Sequence, residues 1–284
     1  MAISASLGES GVLRLEAGAV AYRDTGGAGR PVLFVHGVLV NADLWRAVVP
    51  ALGADFRCIA PDWPLGGHEF AMAPQADLTP PGLARSIVEF ADRLDLRQPI
   101  LVSSDTGTAL AQIAFARRPE RFGGFVITNG DAYEEFFPAP LSVLPPVARL
   151  PGAVALLAPG MRTKLGGRLL ALTLAHRPIP EAIMRSYLGA TANREVRRDL
   201  AKVLGAVDNR HTLEAASHFP AIARPVAVGW GEDDLFFRRS IGARLARGFG
   251  DATLRRIPRC RTLVPEDAPL DVAELVREVA ARAS

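Results

Sequence analysis

Short β-branched runs alternate with longer amphipathic stretches through the first half of this 284-residue chain, and few architectures accommodate that rhythm. Residues 12–15 and 20–23 read as an antiparallel pair turned at 16–18. Residues 32–35 form a continuous apolar run of buried-strand type, followed by a helix near 42–52 and a strand at 57–60. Residues 83–94 repeat apolar positions at helical spacing, with Thr79 as the N-cap ahead of Pro80 and Pro81. A strand at 100–103 runs straight into a helix reaching Arg117, and 124–128 is a further strand. Such alternation predicts an α/β fold, a mostly parallel twisted sheet with helices on both faces, because right-handed crossovers lay helices on either side.

The rhythm breaks between residues 133 and 217, where proline and leucine dominate and short helical patches replace strands. Strand patterning resumes at 226–230 and 253–257, and 270–283 closes the chain as a helix. The expected organisation is a core over 1–132, an inserted helical cap over 133–217, and the rest of the core over 218–284. A cap there would roof the carboxyl ends of the strands, where open α/β sheets bind ligands.

Composition narrows the function classes. Apolar residues at 49% and charged residues at 22% suit one globular protein whose core needs no metal or disulfide. Only Lys164 and Lys202 of the 33 basic residues are lysines, and the arginines are scattered, so no nucleic-acid partner is expected. Cys58 and Cys260 make neither a disulfide framework nor a zinc site. No basic-then-apolar leader opens the chain, and nowhere do about 18 apolar residues run together. A cytoplasmic protein with no membrane partner, no metal and no organic cofactor is therefore expected; a homodimer is left open.

The sharpest chemical feature is Ser103-Ser104-Asp105-Thr106-Gly107, between an apolar strand and a helix. This is the small-x-nucleophile-x-small spacing of a nucleophile elbow, where small neighbours allow a tight, strained turn that exposes its central side chain. The opening turn of the helix favours negative charge at that point. Upstream, His36-Gly37 ends a buried strand with Trp45 soon after, and Asp62 ends the next strand in a loop that carries His68. Downstream, Gly229-Trp230-Gly231-Glu232-Asp233-Asp234 ends a strand in acids. In this order the motifs resemble the α/β-hydrolase superfamily from about Val20 onward, and the aspartate elbow resembles the branch of haloalkane dehalogenases and epoxide hydrolases. The resemblance implies an oxyanion hole built from the backbone amides of Val38 and Thr106, with His36 either shaping that turn or touching ligand.

The C-terminal end departs from the pattern. Thr262 stands where such proteins carry the catalytic histidine, and the nearest histidine in sequence is His218. An aspartate with an ordinary pKa of about 3.9 can attack carbon without a base. The histidine is needed afterwards, to activate the water that hydrolyses the ester. His68 is the first candidate for a relocated base and His211 the second, while His176 and His218 read as surface or packing residues. Asp234 matches the usual acid position and Asp131 an alternative one. The halide-holding positions of dehalogenases fall on Val38 and Thr106, which does not suit them. The cap tyrosines of epoxide hydrolases could correspond only to Tyr133 and Tyr187. A looser resemblance links residues 104–112, 128–133 and 261–267 to a group of actinobacterial hydrolase-like proteins that carry Thr at the histidine position.

Three readings remain. Asp105 acts as nucleophile or base on a small, largely apolar substrate under the cap, assisted by His68 or His211. Alternatively, Asp105 is the general base of an isomerisation, elimination or cyclisation, which needs no activated water. In the third, the fold is kept as a non-catalytic ligand-binding protein.

Overall fold

In a computed structural model, which describes residues 2–283, eight strands form one sheet in the order β1-β2-β4-β3-β5-β6-β7-β8. They are β1 (Glu9–Arg14), β2 (Ala19–Asp24), β3 (Arg30–Val35), β4 (Phe56–Pro61), β5 (Ile100–Asp105), β6 (Gly124–Gly130), β7 (Val226–Gly231) and β8 (Ala252–Ile257). The β1–β2 hairpin pairs Val12 with Ala21, and β2 joins β4 antiparallel; every pairing from β4 to β8 is parallel. Both faces of the central strands are buried, which explains their unbroken apolar runs: Val32, Leu33, Phe34 and Val35 are inaccessible, as are Ile100, Leu101 and Val102.

Core helices are α1 (Val48–Leu52), α2 (Pro80–Arg93) and α3 (Thr106–Arg117). Thr79 caps α2 by accepting from the Gly82 N–H, as its position predicts. The helix expected over 42–52 is split into a 3₁₀ turn, Ala42–Trp45, and α1. Here Asn41 caps the turn through Asp43 N–H, and Asp62 at the end of β4 accepts from Ala42 N–H.

Between β6 and β7 there are no strands. The helices α4 (Leu144–Ala148), α5 (Ala153–Arg162), α6 (Lys164–Leu174), α7 (Glu181–Gly189), α8 (Arg194–Gly205) and α9 (Arg210–His218) occupy this stretch. The last of them lies against α3, and Ala215 and Phe219 join the same apolar cluster as Phe115 and Phe125. The chain closes with α10 (Arg239–Gly248), α11 (Val264–Asp267) and α12 (Pro269–Arg282). Among the described residues no helix is long and apolar enough to cross a membrane.

The chain reverses direction across the sheet between β3 and β5. From β3 it steps to β4 on one side, and from β5 it proceeds through β6, β7 and β8 on the other. At such a switch point the loops leaving neighbouring strands part company and leave a crevice. The loop after β3 and the end of β5 meet there.

Candidate active site

Asp105 is the last residue of β5 and the N-cap of α3, with φ 55° and ψ −136°. An L-residue held there stores about 1–3 kcal/mol of backbone strain. Two glycines make the turn feasible. A Cβ on Gly37 would collide with the Asp105 carboxylate, and one on Gly107 would collide with the Val35 and His36 carbonyls. The elbow thus packs directly against the end of β3 with no room for a side chain on either glycine.

The backbone N–H groups of Thr106 and Val38 lie by the Asp105 carboxylate and favour its charged form. These are the two donors expected of an oxyanion hole. Even so, burial dominates and, together with the nearby Asp234 charge, pushes the carboxyl up to about 7. A half-protonated acid at neutral pH is able both to take and to give a proton.

The Thr262 hydroxyl donates to Asp234 Oδ1 at 3.0 Å. The same oxygen accepts from the Phe236 and Phe237 amides, while Oδ2 accepts from Asn129 Nδ2 at 2.6 Å. Asp234 therefore keeps the place of a triad acid, but the group it orients is an alcohol that does not titrate in the useful range. Asn129 was not picked out in the sequence. It also donates to Gly231 O and accepts from Gly231 N–H, clasping the ends of β6 and β7. A polar residue fully buried at a strand end next to Asp131 was the only signal for it.

Asp131, directly after β6, is fully buried. Neither of its oxygens makes a hydrogen bond of good geometry among the described residues, the Thr106 hydroxyl lying nearest. Burial, then the Asp105 charge, raises its carboxyl well above the usual range. Asp105 feels the charge of Asp234, and Asp131 feels that of Asp105, so the three carboxyls lie near one another.

The histidines serve elsewhere. His68 was the expected replacement base, but both its nitrogens are engaged. Nδ1 accepts from Gly66 N–H at 3.2 Å, so Nε2 carries the proton and faces Asp199 Oδ2 of α8 at 3.4 Å. The ring ties the β4 loop to the cap and has no lone pair left for a water. His36 is similarly locked, donating from Nδ1 to Gly37 O and accepting Trp63 N–H at Nε2. Burial lowers its pKa to about 4, and its role is to shape the turn carrying Gly37 and Val38. His211 on α9 lies beside Glu214, which pairs with Arg117 at the far end of α3 from the elbow. A 12-residue helix separates those ends by about 18 Å, so His211 is not the base either. His176 pairs with Asp233 at the surface. No hydrogen bond joins any imidazole to Asp105 among the described residues.

The remaining candidates also serve elsewhere. The Tyr133 hydroxyl donates to Arg244 O, and its ring lies under the Arg244 guanidinium. Tyr187 donates to Glu266 at 2.6 Å, within a buried cluster completed by Arg46. Neither phenol is free to protonate an epoxide. Trp45 packs on Phe34 inside the core, with ring centroids 4.7 Å apart, and does not line the site.

An apolar cluster adjoins Val38 and the first turn of α3. Phe136, Phe137, Leu200 and Leu204 from the insertion form one cluster with Ala109 of α3, and Val38 and Leu39 pack against it. Among the described residues no group of three or more His, Cys, Asp or Glu side chains is placed to hold a metal. The arrangement offers a strained carboxyl of near-neutral pKa, two backbone donors, a second, buried carboxyl, and apolar walls.

Comparison with known proteins agrees with this geometry. The profile of the family described as alpha/beta hydrolase fold matches residues 30–269. Haloalkane dehalogenase 2 from Mycobacterium bovis is 30% identical over 273 residues, covering 92% of this chain and 91% of its own. The crystal structure of haloalkane dehalogenase DbeA from Bradyrhizobium elkani superposes with a TM-score of 0.80 at 21% identity, over 96% of this chain and 99% of that one. The epoxide hydrolase CorEH superposes with a TM-score of 0.81 at 19% identity, over 97% and 99%. The chain belongs to the α/β-hydrolase fold family, in the branch related to haloalkane dehalogenases.

Proposed function

We propose that this protein catalyses proton transfer at carbon in a small, largely apolar carbonyl compound, an isomerisation or an elimination, with Asp105 as the base. The observation that carries the reading is the elbow carboxyl itself: its pKa is pushed up to about 7, and the position that would supply a water-activating base holds Thr262, whose hydroxyl is committed to Asp234. A nucleophilic aspartate here would form an ester that nothing nearby hydrolyses. A base needs no such second partner.

The chemistry balances without water. An Asp105 carboxylate oxygen takes a proton from the carbon next to the substrate carbonyl, and the C–H electron pair becomes the enolate. As the carboxylate is neutralised, its hold on the Val38 and Thr106 amides weakens, and these donors are available to the developing oxyanion. In a β,γ-unsaturated carbonyl compound the enolate is conjugated with the double bond, and Asp105 returns the proton to the γ-carbon, completing an isomerisation. Where a leaving group sits one carbon further on, the enolate expels it with its electron pair, and Asp105 later loses its proton to solvent. The apolar cluster of Phe136, Phe137, Leu200 and Leu204 suits a small hydrophobic substrate and keeps the carboxyl's pKa high.

The test is deuterium incorporation. Small ketones, enones and β-substituted carbonyl compounds are incubated in D₂O with the protein, and exchange next to the carbonyl is followed by NMR. Exchange that rises with pH through about 7 and vanishes in Asp105→Asn supports the reading. The reading fails if no compound exchanges while alkyl halides or epoxides leave a persistent mass adduct on Asp105.

A further inference from the structure

The outer face of the insertion carries a second feature that the catalytic centre does not use. Leu150, Leu156, Leu157, Leu165, Leu169 and Leu172 are all more than half exposed, and Leu156 reaches 81%, the highest value among the exposed large apolar side chains. They belong to α5, α6 and the turn before them. On α6, positions 165, 169 and 172 fall on one side of the helix, with Arg168 among them. Isolated surface leucines need no explanation, but six within 23 residues of chain form a patch of the kind that marks an interaction surface.

A groove of about 1010 Å³ opens beside these leucines, between α5, α6 and α7. Its apolar lining includes Met161, Ala171, Ile179, Met184 and Leu188. Its rim is cationic: Arg162, Lys164, Arg168, Arg177 and Arg185 line it, and Glu181 is the one acid among the described residues that do. Lys164 and Arg185 both lean on that single Glu181. Arg162, Arg168 and Arg177 form no ion pair among the described residues.

The charge pattern decides what covers this face. A second copy packed symmetrically would set the same patch against itself, bringing five cations onto five with one acid on each side to offset them. An anionic surface meets the patch with the opposite sign. The leucines match acyl chains and the rim arginines match phosphates, which is the division found in helices that lie in a bilayer interface. We infer that the α5–α6 face of the insertion docks on anionic lipid bilayers, with the exposed leucines entering the acyl region and the arginine rim at the headgroups. This peripheral contact departs from the sequence expectation of no membrane partner, which was drawn from the absence of a spanning segment. Docking of this sort would place the protein where apolar substrates accumulate.

The full chain is tested by co-sedimentation with vesicles of phosphatidylglycerol in phosphatidylcholine and with phosphatidylcholine alone. Binding to the anionic vesicles alone is expected, weakening as salt rises. Leu156→Asp with Leu169→Asp, and separately Arg162→Glu with Arg168→Glu, should each weaken it by about tenfold or more. All four side chains are exposed, and unchanged circular dichroism confirms that the variants fold. The inference is overturned if the anionic vesicles are not bound, if zwitterionic vesicles bind equally, or if the variants bind like the parent. It is also overturned if light scattering shows a dimer that the leucine variant dissociates.

Discussion

Replacing Asp105 with Asn is expected to stabilise the protein in a pH-dependent way. The unfolded chain ionises this carboxyl near 3.8 and the folded chain at about 7. Below the lower value both states are protonated, and the shift contributes nothing. As pH rises, the unfolded state releases its proton first, so the folded state is progressively penalised, and the full cost is present above about 7. A shift of about 3 pH units corresponds to ~4 kcal/mol at most. For a chain of this length, with an unfolding entropy of about 0.6 kcal/mol per kelvin, that is about 7 °C in Tm. Asn keeps the shape, still offers an oxygen to the Val38 and Thr106 amides, and carries no charge to bury. The backbone strain at φ 55° is common to both forms and cancels. Calorimetry from about pH 4 to about pH 8 should show the two Tm curves merging in acid and separating in favour of the Asn variant in base. A variant less stable than the parent at high pH, or a gap independent of pH, would refute the claim that burial strains this carboxyl.

Other substitutions probe the surrounding geometry. Thr262→Val removes one of the donors to Asp234 and should lower stability by about 1–2 kcal/mol, read as a drop of roughly 2–3 °C in Tm. Thr262→His places an imidazole beside Asp234; it should let esters formed on Asp105 by alkyl halides or epoxides turn over, followed by the decay of the mass adduct with time. Gly37→Ala drives a methyl group into the Asp105 carboxylate and should abolish Asp105-dependent exchange while costing about 3 kcal/mol or more in a denaturant titration. His68→Ala should loosen the insertion by breaking the link to Asp199, raising protease sensitivity near α8, while the pH at half-maximal exchange stays where it was.

The β-branched runs and helical spacings were enough to locate every strand and the end of α3; in the central strands β3, β5 and β6 burial on both faces writes itself into consecutive residues. The elbow was legible for a similar reason: its small neighbours and acid are adjacent in the chain. What could not be read were contacts that join distant segments. His68 looked like a spare base because its partner, Asp199, lies 131 positions away. Tyr187 looked like a substrate acid because the carboxylate that takes its proton is Glu266, 79 positions on. Thr262 was visible as a departure, but its consequence, an Asp234 satisfied without a base, needed the 3.0 Å contact.

The account rests on one acid, and its titration can be followed without any substrate. In protein labelled with ¹³C at the aspartate side-chain carboxyl, the resonance missing from Asp105→Asn identifies the elbow. The account predicts that this resonance titrates with a midpoint of about 7. A midpoint near the ordinary 3.8 would contradict it, leaving a fully ionised nucleophile and no reason to prefer proton transfer at carbon.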